Sequence, residues 1–78
     1  MRNSVLVLGA TIANSDSIQS IKSGGYETHV LDGNKNAPGF EYADKFECID
    51  ISDKNKVLEY ASNNNIGAII PLNEFATP

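Results

Sequence analysis

Gly9, Thr11 and Ser15 follow directly on an apolar run, Val5-Leu6-Val7-Leu8, and Asp32 and Asn34 come about 20 positions further on. A glycine at the end of a strand allows a sharp turn. The amides of a following helix start then offer a positive pole for an anion, and an acidic residue at this distance accepts ribose hydroxyls in dinucleotide sites. Only the first of the three glycines of such a loop is present, because Thr11 and Asn14 occupy the second and third places. Side chains there obstruct the approach of pyrophosphate to the backbone and the close packing of helix on strand.

Two chemistries therefore remain for residues 9–17, GATIANSDS. One is a dinucleotide loop with two glycines lost. The other is a helix N-terminus whose N–H groups, with the hydroxyls of Thr11, Ser15 and Ser17, hold a single phosphate or carboxylate. Helix capping by Asn14 or Ser15 accounts for the same residue types without a ligand. Asn73 and Glu74 follow the last apolar segment and should face the Gly9 loop; Glu74 suits ligand contact and helix N-terminal stabilisation equally.

The other polar residues carry less. Asp32, Asn34 and Asp50 all follow strand ends, where Asp and Asn bond their own backbone in turns. His29 has no second ligand at metal spacing and reads as structural, and Cys48 reads as a small core residue without a base partner. No catalytic triad, carboxylate pair, Walker loop or metal set is visible, so no catalytic or metal-binding residue is assigned.

The elements that must position these residues are legible from punctuation and apolar runs. Residues 4–8 read as a strand covered on both faces, and a helix starting at Asn14 or Ser15 carries Ile18 and Ile21 on one face before stopping at Gly24-Gly25. Residues 27–31 form a second strand, 34–39 a loop, and Tyr42-Ala43-Asp44 a single turn. Residues 45–49 form a third strand. Ser52 then caps a helix through Val57, Leu58 and Ala61 to the three asparagines at 63–65, and residues 68–70 form a fourth strand. This alternation predicts a three-layer α/β/α parallel sheet of strand order 3-2-1-4, with a crevice at the switch between strands one and four.

Length and charge set limits on partners. At 78 residues the chain forms one small domain at most, and at this size folding buries roughly 60% of the surface of the unfolded chain. A net charge of -4 with six scattered basic residues leaves no stripe for nucleic acid. A single cysteine forbids an internal disulfide and makes a reducing cytoplasm the default, while residues 5–10 are too short for a signal-peptide core and no transmembrane segment is found. The last residues, 73–78, run on without a helix to cover strand four, as in a piece of something longer. The uncovered edge of that strand predicts a homodimer.

Val5-Leu6-Val7-Leu8-Gly9-Ala10, Gly25-Tyr26, Val30-Leu31-Asp32, Ala37-Pro38-Gly39, Ala43-Asp44, Asp50-Ile51-Ser52-Asp53, Ile69-Ile70-Pro71 and Asn73-Glu74-Phe75 together resemble, in order, the N-terminal domain of ATP-grasp ligases. The resemblance implies a pre-ATP-grasp domain, a reduced dinucleotide-like sheet on the acceptor-substrate side of an active site. It also implies that ATP and Mg2+ are held by further domains of the parent enzyme, outside these residues. The parent would activate a carboxylate as an acyl phosphate and pass it to an amine or other nucleophile. Glu74 then matches a substrate-side position, and residues 9–11 match the loop after strand one. Carbamoyl-phosphate-synthase-like, amino-acid ligase and carboxylase branches all fit. A module for nicotinamide or flavin dinucleotides is the competing expectation.

Overall fold

The computed structural model describes residues 3–71. Four strands, β1 (Ser4–Leu8), β2 (Glu27–Asp32), β3 (Lys45–Cys48) and β4 (Ala68–Pro71), form one sheet of order β3-β2-β1-β4. All three pairings are parallel, with Leu6 opposite both His29 and Ile69. The expected order and class are therefore those observed.

Two helices cover opposite faces. α1 (Ser15–Ser23) lays Ile18 and Ile21 against Val7 and Val30, joined by Ala10, Ala37 and Phe40. α2 (Lys54–Asn63) lays Val57, Tyr60 and Ala61 against Leu6, Leu8 and Leu31. The alternation of side chains along β1 sends Val7 to one layer and Leu6 to the other, which is why a central parallel strand needs an unbroken apolar run. Right-handed crossovers in opposite directions across the sheet put the two helices on opposite sides.

Several local expectations are corrected. The cap of α2 is Asp53, whose carboxylate accepts the Lys56 N–H at 3.3 Å. Ser52 instead donates its hydroxyl and its N–H to Asp50 Oδ1, at 2.7 and 3.0 Å, closing the turn before the helix. Asn14 is the N-cap residue of α1, as expected, but its side chain makes no capping hydrogen bond. Residues 34–39 are not all loop, and the turn expected at Tyr42-Ala43-Asp44 begins earlier, as a 3-10 helix at Pro38–Tyr42 that buries Gly39 and Phe40. Proline at its first position presets the backbone angle that the turn needs.

Cys48 is exposed rather than in the core, because β3 is an edge strand with all four residues exposed. β3 ends at Cys48, one residue short of the expected Ile49. The helix stops behave as read: Gly25 has φ 93° and Asn65 has φ 54°, both left-handed conformations that end α1 and α2.

Candidate functional site

The carboxyl ends of the four parallel strands define one rim, where open α/β sheets bind ligands. Leu8 leads into Gly9, which is buried and has φ 106°. Only glycine adopts that angle without strain, so the first glycine of the loop is fixed by the backbone. Its N–H donates to the Leu31 carbonyl at 2.9 Å, which extends the β1–β2 ladder by one bond into the loop.

Asp32 holds the rim together. Its Oδ2 accepts the Ala10 N–H at 2.8 Å and its Oδ1 accepts the Asn34 N–H at 2.8 Å, so both oxygens bond to backbone. Asn34 repeats the device one turn later, its Oδ1 accepting the Asn36 N–H at 3.0 Å. A carboxylate with both oxygens engaged in this way organises two loops.

The places of the missing glycines are filled by the loop's own side chains. Asn14 turns back to donate Nδ2–H to the Gly9 carbonyl at 3.2 Å, within the space that a dinucleotide loop keeps open. Thr11 is exposed at the start of a short 3-10 turn, Ile12–Asn14, and Ser15 is half-buried with its hydroxyl 3.5 Å from the Thr11 carbonyl. Ile12 is 76% exposed beside them, an apolar side chain presented at the rim.

The segment Ala37-Pro38-Gly39 closes over this loop. Gly39 donates its N–H to the Ala10 carbonyl at 2.7 Å. A Cβ on Gly39 would lie 2.8 Å from Ile18 Cδ1 and 2.9 Å from both Ala10 Cα and Ala10 O. This is a glycine required by close approach, and the reason was not readable from its sequence neighbours. Asp44, the second half of the Ala-Asp pair, ties β3 to β2: its Oδ2 accepts the Thr28 N–H and its own N–H donates to the Thr28 carbonyl, both at 2.9 Å.

The structure thus joins Asp32 to Asn34 and to Ala10, next to Gly9, with Thr11 exposed and Ser15 half-buried beside them. Asn73 and Glu74 lie outside the described residues. Among the described residues no group of three or more His, Cys, Asp or Glu could hold a metal ion. None of the described helices is long and apolar enough to cross a membrane.

A second polar group sits at the opposite, amino-terminal end of the sheet. His29 is 1% exposed, with Nε2 3.1 Å from Glu27 Oε1 and Nδ1 2.8 Å from the Tyr60 hydroxyl. An ionised carboxylate only accepts, so Nε2–H donates to Glu27, while Nδ1 pairs with the Tyr60 hydroxyl. Glu27 also accepts the Ser4 hydroxyl at 2.9 Å. The bonds from His29 and then Ser4 hold the Glu27 carboxyl below its usual value, while burial, followed by the nearby Glu47 and Glu27 charges, raises the Tyr60 phenol. This network pins α2 to β2, and the structural reading of His29 accords with it.

Sheet order, crossover handedness and a glycine-turned loop after β1 define a Rossmann-like α/β domain whose rim lacks the open phosphate cradle of a dinucleotide site. A family model for the PylC-like N-terminal domain matches residues 5–76. The chain belongs to that family, the pre-ATP-grasp domain of ATP-grasp-type ligases. A search among curated proteins finds no match.

Proposed function

We propose that this domain forms the substrate side of an ATP-dependent ligase that activates a carboxylate as an acyl phosphate and transfers the acyl group to an amine or other nucleophile. The observation that carries this reading is the family match over residues 5–76. The rim supports it, because the Asn14 side chain bonds back to Gly9 where a dinucleotide loop carries glycine, which disfavours the nicotinamide or flavin alternative.

In this reading Gly9, Thr11 and Ser15 meet the substrate together with Asn73 and Glu74, and Asp32 and Asn34 hold the loops that present them. ATP and Mg2+ are bound by the nucleotide-gripping domains of the whole enzyme, and the 78-residue chain alone does not turn ATP over. The amide-forming branches and the carbamoyl-phosphate-synthase-like branch share this chemistry. The domain works in the cytoplasm, where ATP is available.

The test uses the whole enzyme with ATP, Mg2+, a panel of carboxylic acids and hydroxylamine, which traps an acyl phosphate as a hydroxamate. Acid-dependent ADP and hydroxamate formation is expected, with Thr11→Val raising KM for the acid more than it lowers kcat. Absence of ADP with every acid, together with stabilisation by a dinucleotide, overturns the reading. Saturation at 100 times the dissociation constant would stabilise the fold by about 2.7 kcal/mol.

A further inference from the structure

β3 ends the sheet on the side away from β4, and among the described residues it pairs only with β2. All four of its residues, Lys45-Phe46-Glu47-Cys48, are exposed. An edge strand presents a row of unpaired peptide groups, which a lysine on the edge ordinarily guards against pairing. Here the lysine is followed two residues later by a glutamate on the same face, so the charge pattern can complement itself.

The backbone fixes which groups are open. Ile49 donates its N–H inward to the Asp32 carbonyl at 3.0 Å. Peptide groups of alternate residues point to opposite sides of a strand, so Glu47 and Lys45 also bond toward β2 while Phe46 and Cys48 turn N–H and C=O outward. The side chains divide by face. Phe46 is 56% exposed on the α1 side, its ring stacked on the buried Phe40 with centroids 4.5 Å apart and planes at 15°. Glu47, opposite Leu31 in the ladder, lies on the α2 side, and Lys45 shares that face.

A two-fold axis perpendicular to the sheet joins two β3 edges antiparallel and like face to like face, so it must pass through a residue. Centred on Glu47 or on Lys45, it sets that charge against itself. Centred on Phe46, it sets each Lys45 opposite the partner's Glu47, twice. The same register makes the Phe46 residues a hydrogen-bonded pair, which uses the N–H and C=O that Phe46 turns outward. Their rings then meet at the axis, each already backed by Phe40.

We infer that β3 is the interface for a second copy of this chain, paired antiparallel about Phe46 into one continuous eight-stranded sheet. The partner contributes the same four residues, with backbone bonds and the phenylalanine pair supplying affinity and the two Lys45–Glu47 pairs selecting the register.

The test measures the mass of the full protein by sedimentation equilibrium across a dilution series. Glu47→Lys sets lysine against Lys45, and Lys45→Glu sets glutamate against Glu47, so each variant alone should weaken dimerisation by about tenfold. Mixed in equal amounts, the two variants should dimerise with each other, because every cross-strand pair is then of opposite charge. Both replacements on one chain should likewise restore the parent's affinity. A parent protein that is monomeric at every concentration overturns the inference. Dimerisation that neither single variant weakens overturns it and assigns the contact to another edge, such as β4. Weakening that neither the mixture nor the double variant repairs also overturns it.

Discussion

The two ends of the sheet solve the problem of fixing polar groups in opposite ways. At the carboxyl end, one side chain, Asp32, serves two backbone amides, and Gly39 brings a third loop in by a direct backbone bond. At the amino end, His29, Tyr60, Glu27 and Ser4 bond side chain to side chain. The first arrangement fixes the course of the chain and leaves Thr11 and Ser15 free to face outward. The second fixes a helix on a strand.

The comparison is broken most severely at Gly39. Gly39→Ala forces a methyl group into the Ala10 backbone, and the two elements cannot relax independently because Gly39 also bonds the Ala10 carbonyl. A loss of about 3 kcal/mol is expected, at the upper end for overpacking, read as a fall in the urea midpoint at unchanged m-value. A loss below about 0.5 kcal/mol would mean that the closing loop stands off from β1.

Next in size is Asp32→Ala, which strands the Ala10 and Asn34 amides together. About 2 kcal/mol is expected, moderated because the site is half-exposed and water can reach Asn34. Amide exchange should accelerate at Ala10 and Asn34 while remaining unchanged at His29. Acceleration at both ends would show the two regions to be one cooperative unit.

The smallest effect is expected at Glu27, and it is a pH effect. Its folded pKa is depressed from the ordinary 4.5, so its contribution is fully present above that value and is lost as pH falls through the folded value. Glu27→Gln should flatten the stability profile below about pH 4.5 and leave the profile near pH 7 parallel to that of the parent protein. Tyr60 acts at the other limit: its raised value makes its contribution complete below pH 10 and lost as pH rises through the folded value. An unchanged acid limb in Glu27→Gln would remove the contrast between the two ends.

Strand order and the two crossovers were legible because apolar runs, glycine stops and asparagine turns are local signals, and handedness does the rest. The role of Gly9 was legible for the same reason. What could not be read was tertiary approach. Nothing near Gly39 in sequence announces that Ile18 and Ala10 lie under 3 Å from its missing Cβ, and nothing near Asp32 announces which amides it will meet. Cys48 was misplaced because edge and centre strands share a composition, and only the pairing order tells them apart. Ser52 and Asp53 are adjacent good caps, and the choice between them turned on Asp50 capturing Ser52 first.

The pairing of β1 with β4 has a consequence for how the chain is made. β1 is made before the other three strands, and its partner Ala68 is translated only about 60 residues after Val5, so at 5–20 residues per second one side of β1 waits about 3 to 12 s on the ribosome. β2 can close the other side much sooner. Through that interval a row of unmatched peptide groups on Val5, Leu6 and Val7 is exposed to any passing strand. The nascent chain is therefore most vulnerable to mispairing at the strand that later becomes its most protected, and slowing translation before residue 68 should increase aggregation.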